Sequence, residues 1–401
     1  MAHAVDRIVV ALRLAAGLGI AAAGLVAVLP HPTAGLWMAS IVLSEGGYWL
    51  ALLASPLVVD LRAWRGSEDG RPAPRILAAT AALAGIVLLL SPVAGAYAVA
   101  RTLPDLLEAR FGTPVRAPLA EPPRPAPVSL PALLAGVSSG EVVAEEHVYA
   151  VREEDDLRLD LYRPVRAVGA LPVVVMIHGG GWSTGDKRDF PALNDYLAAR
   201  GYVVAAIGYR LLPDARFPAA QDDVAEAIRY LGSLAETYNL DPDRIALVGR
   251  SAGGQIALLA GYAAGNPAIR GVVSFYAPTA LRWGYANPAK PGVIDSSAVL
   301  DAYLGGPPAT HGAQYDAAEP ARFVSASTPP TLFIQGLRDE HVSPFHAEFV
   351  SARLLEAGVP HALVRLPWAT HGCDYLFRGP CGQVSTFAVE WFLDAVLRRE
   401  Q

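Results

Sequence analysis

Three long apolar stretches, residues 8–29, 36–59 and 76–100, restrict this chain more than any later feature. Each exceeds the roughly 20 helical residues that cross a hydrocarbon layer about 30 Å thick. Inside lipid every backbone N–H and C=O must be satisfied within the segment, so isolated runs of this kind fold as helices. The sequence therefore predicts three spanning helices. The first lacks the small-x-small site of a cleaved signal peptide and is followed by two more spans, so it reads as an uncleaved anchor. The overall composition, 53% hydrophobic and 17% charged, averages this apolar region with a domain of ordinary polarity, where about 25% charged is usual.

Glu45 interrupts the second stretch. An ionised group there costs about 2.5–3.5 kcal/mol on insertion scales and must face protein. The favoured role is a hydrogen-bonded packing residue beside Gly46 and Gly47; a relay or lipid-headgroup site is the alternative. Arg7 and Arg13 flank the first span, Arg62, Arg65, Arg71 and Arg75 lie between the second and third, and none lies between the first and second. The positive-inside rule then predicts a multi-pass cell membrane protein with residues 101–401 on the extracytoplasmic side, an asymmetry that Arg101, Arg110 and Arg116 reduce. Three units are expected: a membrane region over 1–103, a proline-rich linker over 104–140 whose stretch 113–131 reads as a semi-rigid spacer, and a catalytic domain over 141–401.

In that last unit the pattern changes. Two strand-like pieces at 142–151 and 157–164 form an antiparallel pair, and short apolar strands then alternate with amphipathic helices: 171–178, 202–209, 244–250, 271–277, 330–336 and 361–367. Uniformly apolar strands separated by helices are the pattern of a parallel sheet covered on both faces, an α/β fold. A net charge of −6 with two lysines excludes a nucleic-acid partner. Two cysteines, Cys373 and Cys381, are too few for a metal cluster. They form either one disulfide or two buried thiols.

Chemistry concentrates where strands end. Ser251 lies in Gly249-Arg250-Ser251-Ala252-Gly253, at a strand-to-helix turn that holds its hydroxyl at the end of the sheet beside the helix N-terminus. His178-Gly179-Gly180-Gly181-Trp182 follows the strand at 171–177. Consecutive glycines leave N–H groups unobstructed, so the expected oxyanion donors are Gly180, Gly181 and Ala252, with His178 holding the loop. Asp339 and His371 follow later strands in the order expected for such a triad. Of the competing histidines, His361 begins a strand, His346 lies in a helix and His341 shares a turn with Asp339, so His371 is the expected base. Residues 278–329, with Trp283, Tyr285, Tyr303 and Tyr315, are too long for a plain connection and suggest a cap over the acyl pocket with Trp182 and Trp368, the expected substrate-binding residues.

The HGGGW and GRSAGG motifs, YRLLPDARFPAAQDDVAEAIRYL and DPDRIALVG together resemble the α/β-hydrolase superfamily, and in particular esterases of the hormone-sensitive-lipase and bacterial feruloyl-esterase-like groups, over about 141–401. The resemblance implies an eight-stranded, mostly parallel sheet, a serine carboxylic-ester hydrolase without cofactor or metal, and a structural acid at Asp222. Gln335 stands where such enzymes often carry His before the acid. The expected function is a membrane-anchored hydrolase of small-molecule or lipid esters, with the bilayer as its other partner. An acyltransferase or peptidase using the same triad is the alternative, and an inactive tethered binding protein a weaker one.

Overall fold

The computed structural model describes residues 2–58, 73–114, 124–137, 140–153, 155–166, 169–290 and 292–398. Arg62, Arg65, Arg71 and Arg116, which carried part of the orientation argument, lie outside them. The three apolar stretches form α1 (Ala2–Val28), α2 (Ala34–Val58) and α3 (Ala73–Ala100), each long and apolar enough to cross a membrane. They pack as a bundle whose small core contains Ala27, Ala51 and Leu89. Small residues permit the close approach that substitutes for a hydrophobic driving force between lipid-facing helices. Arg75 of α3 reaches Asp6 of α1 at 2.6 Å.

The strands form one eight-stranded sheet in the order β1-β2-β4-β3-β5-β6-β7-β8. They are β1 (Val142–Ala150), β2 (Leu157–Pro164), β3 (Leu171–Ile177), β4 (Val203–Ile207), β5 (Leu240–Arg250), β6 (Ile269–Phe275), β7 (Thr331–Gly336) and β8 (His361–Leu366). β1 pairs with β2, and β2 with β4, antiparallel; every other pairing is parallel. This is the mostly parallel sheet that the sequence predicts.

Because successive side chains point to opposite faces, each central strand feeds two cores. Val174, Met176, Val248 and Phe275 join one core with Leu197, Val384, Phe387 and Phe392 from helices Pro191–Ala199 and Pro380–Leu397. Val173, Val175, Ile177 and Leu247 join the other with Val224, Ile256 and Val350 from helices Ala219–Ser233, Ala252–Ala263 and Phe345–Glu356.

The predicted linker over 104–140 carries a helix at each end, and residues 115–123 of the expected spacer lie outside the described residues. Helix Leu103–Phe111 buries Leu103, Leu107 and Phe111 in the first core, with Phe111 edge-on to Phe392. Helix Leu130–Ala135 buries Leu133, and the Ser129 N–H donates to Gln383 at 2.8 Å. Apolar residues spaced three and four apart among the prolines give the linker something to bury, and the C-terminal helix offers the surface.

Candidate active site

The loops after β3, β5, β7 and β8 meet at the C-terminal edge of the sheet, where ligands bind in open α/β folds. Ser251 stands between β5 and helix Ala252–Ala263 with φ +53°, outside the ordinary range for a residue with a side chain. The turn is this tight because Gly253 passes against the backbone carbonyls of Ile177 and His178, where a Cβ would overlap them. The Ser251 Oγ lies 3.0 Å from His371 Nε2, and His371 Nδ1 lies 2.8 Å from Asp339 Oδ2. The other Asp339 oxygen accepts the backbone N–H groups of His341 and Val342 at 3.0 and 2.8 Å. Gln335 donates to the same carboxylate at 3.4 Å and to the Gly336 carbonyl at 3.1 Å, so the glutamine in place of the expected histidine props the acid loop.

Gly180 and Gly181 take φ of +111° and +59° in the loop after β3. Gly181 and Ala252 border the cavity beside Ser251, whereas Gly180 does not; its carbonyl accepts the Ser183 and Thr184 N–H groups and closes the turn. His178 is held as expected of a loop support: its ring stacks on Tyr209 at 4.3 Å, and the Tyr209 hydroxyl donates to its carbonyl at 2.9 Å. Burial pushes the His178 imidazole down from its ordinary pKa.

The cavity holds about 360 Å³ and is bordered by Trp182, Leu281, Ile294, Val299, Leu300 and His341 among others. Segment 278–329 therefore covers the site, but with aliphatic side chains. Its aromatics pack elsewhere: Trp283 on Phe345, Tyr285 on Tyr315, and Tyr303 against Trp182 at 4.1 Å. Trp182 lines the cavity and anchors its indole N–H on Gln255 at 3.2 Å. Trp368 does not. Its indole N–H donates to Glu45 of α2 at 3.1 Å and its ring lies against Gly95 of α3, so the expected substrate contact is a contact with the helical bundle. Of the competing histidines, His361 bonds the Val359 carbonyl, His346 accepts the Thr279 and Ala280 N–H groups, and His341 stacks on His371 at 5.0 Å.

The anchoring acid is Asp223. Asp222 is exposed, while Asp223 is fully buried and accepts the Arg210 backbone N–H and guanidinium at 2.9 Å. One position shifts a helical side chain by about 100°, and the fold turns the second aspartate of the pair toward the loop.

Sequence reasoning also missed a buried pair. The Arg250 Nε donates to Asp374 at 2.6 Å, and the Tyr276 hydroxyl donates to the other Asp374 oxygen at 2.5 Å. Arg250 immediately precedes Ser251 and Asp374 lies three residues beyond His371, so the pair ties the Ser251 loop to the His371 loop. The only hint was an arginine inside the serine motif. Tyr276, at 4.5 Å from the His371 ring, has its hydroxyl pushed well above the ordinary range by burial and by the Asp374 charge. Cys373 and Cys381 are bonded to each other, closing the same loop.

A tight turn presenting a serine at the sheet edge, with an acid and a histidine on later loops, is the arrangement of the α/β-hydrolase fold, and this chain has that fold. A family model described as BD-FAE matches residues 159–354. The chain is 28% identical over 285 residues, 65% of its own length and 60% of the other's, to a probable carboxylic ester hydrolase, LipM, of Mycobacterium tuberculosis. It is 38% identical over 118 residues, 29% of its length, to the carboxylesterase NlhH of the same species, of which it covers 37%. The chain thus spans less than two thirds of these relatives. Among solved structures it resembles esterase 2 of Thermogutta terrifontis with propionate bound, with TM-score 0.51 and 24% identity over 62% of this chain and 92% of that one, a likeness of fold.

Proposed function

We propose that this protein is a membrane-anchored serine carboxylic-ester hydrolase. The observation that carries the reading is the continuous path from Ser251 Oγ to His371 Nε2 at 3.0 Å and from His371 Nδ1 to Asp339 at 2.8 Å, opening on a mostly apolar cavity. His371 accepts the Ser251 proton as the oxygen attacks an ester carbonyl, and Asp339 orients the imidazole and stabilises its cation. The Ala252 and Gly181 N–H groups, which border the cavity, serve as oxyanion donors, each typically worth about 2.7–4 kcal/mol. The leaving alcohol takes its proton from His371, and water then releases the acid from Ser251.

The cavity, near the low end of the roughly 300–1,000 Å³ usual for ligand sites, suits a short or medium acyl group. The helices α1, α2 and α3 anchor the enzyme in the bilayer, with the catalytic domain on the extracytoplasmic side. Names of relatives support ester hydrolysis, and the arginine distribution supports the orientation.

In purified full-length protein Ser251→Ala should abolish turnover of p-nitrophenyl butyrate, and persistence of turnover refutes the nucleophile. Protease added to intact cells should digest the catalytic domain; its protection until lysis refutes the orientation. Supplying an alcohol and finding transesterified product as the main product would favour acyl transfer over hydrolysis.

A further inference from the structure

The loop that carries His371 runs from Trp368 to Cys381, and α2 touches it at its start, middle and end. Glu45, fully buried, accepts the Trp368 indole N–H on one oxygen at 3.1 Å and the Cys381 backbone N–H on the other at 2.7 Å. Cys381 is the second residue of helix Pro380–Leu397, so that N–H has no partner inside its own helix, and a carboxylate there also faces the positive end of the helix dipole. Two turns before Glu45, the Trp37 indole N–H donates to the His371 carbonyl at 3.1 Å. The Trp37 ring lies 4.2 Å from His341, which in turn stacks on His371. Between them Ile41 packs near Gly372. Trp37, Ile41 and Glu45 are spaced four apart and share one face of α2.

We propose that Trp37 and Glu45 are positioning residues for the catalytic base: α2 forms one wall of the active-site frame, and turnover depends on its docking. This rests on the reading of Ser251, His371 and Asp339 as a hydrolytic triad. The triad's own domain contributes Asp339 and Tyr276 to the histidine and ties Asp374 and the disulfide into the loop, and at the His371 carbonyl and the Cys381 N–H the loop backbone is held in addition by a helix more than 300 positions earlier in the chain. Catalysis is sensitive to this because a displacement of about 1 Å in a reacting group costs on the order of 100-fold in rate.

The test uses full-length protein in detergent, with p-nitrophenyl butyrate as substrate and kcat expressed per site titrated by a fluorophosphonate. Glu45→Ala should lower kcat by about tenfold or more with KM within about twofold, and should speed amide exchange across residues 368–381. Glu45→Gln, which keeps one acceptor, should fall between it and wild type. Trp37→Phe, which keeps a ring against His341 and loses one hydrogen bond, should lower kcat in the same sense and decides the matter if Glu45→Ala does not fold. Unchanged kcat per titrated site in the folded variants, with unchanged exchange, overturns the proposal and leaves a purely docking role. A wild type that neither hydrolyses the ester nor reacts at Ser251 overturns the esterase reading instead, and the exchange measurement still tests the clamp.

Discussion

Asp374→Ala tests how the loops carrying Ser251 and His371 are tied together. Arg250 and Asp374 side chains are 6% and 5% exposed, and the guanidinium is sandwiched between Phe190 and Phe275 at 4.5 and 5.0 Å from their ring centres. Removing the carboxylate leaves that charge buried without its partner, which costs about 3–5 kcal/mol. It also orphans the Tyr276 hydroxyl, for which about 1–3 kcal/mol is usual, although the two losses share one carboxylate and do not simply add. A net loss of about 4 kcal/mol follows. At about 2–4 °C per kcal/mol for a domain of this size, the melting temperature of the catalytic domain should fall by about 8–16 °C. The assay is intrinsic-fluorescence melting in detergent beside Arg250→Met and the double variant Arg250→Met/Asp374→Leu. The double variant should recover most of the stability, because an apolar pair of similar volume removes the uncompensated charge. A drop below about 3 °C in Asp374→Ala, or a double variant no better than the worse single, refutes the reasoning.

Three further outcomes are expected. The His346 Nδ1 accepts the Thr279 and Ala280 N–H groups at 3.1 and 3.0 Å, and burial pushes its pKa down to about 4. The unfolded chain therefore takes up a proton that the fold excludes, stability falls as pH drops from about 6.5 toward 4, and the loss tends to about 3 kcal/mol from this residue; melting temperatures of wild type and His346→Gln across that window check it, and equal acid slopes refute it. Val299→Trp, beside Gly181 in the cavity, should reduce kcat/KM for p-nitrophenyl octanoate relative to acetate by about tenfold or more, on the scale of a few methylenes in an apolar pocket. Gly253→Ala should abolish activity together with the folded signal at the serine turn, since its Cβ meets the carbonyls of Ile177 and His178; an active, stable variant would show that the turn yields.

Much of the fold was legible because its signals are local. Apolar runs of spanning length required helices, uniformly apolar strands required a sheet buried on both faces, and the serine motif required a strand-to-helix turn. The positions of Ser251, Asp339 and His371 follow from the same reading, since each sits just past a strand. The oxyanion loop was read in the same way, although Gly180 closes a turn instead of bordering the cavity.

What the sequence by itself determined is the set of elements and the edge at which chemistry collects, because hydrophobic period and turn residues act over neighbours. Tertiary structure decided which partner each remaining polar group meets. Choosing Asp223 over Asp222 depends on the rotation of one packed helix. Pairing Arg250 with Asp374 joins positions 124 apart, and turning Trp368 away from substrate toward Glu45 joins positions 323 apart. A buried carboxylate demands a donor, and the sequence states that demand at Glu45. Only the folded chain, by bringing the His371 loop against the apolar helix α2, supplies the donors.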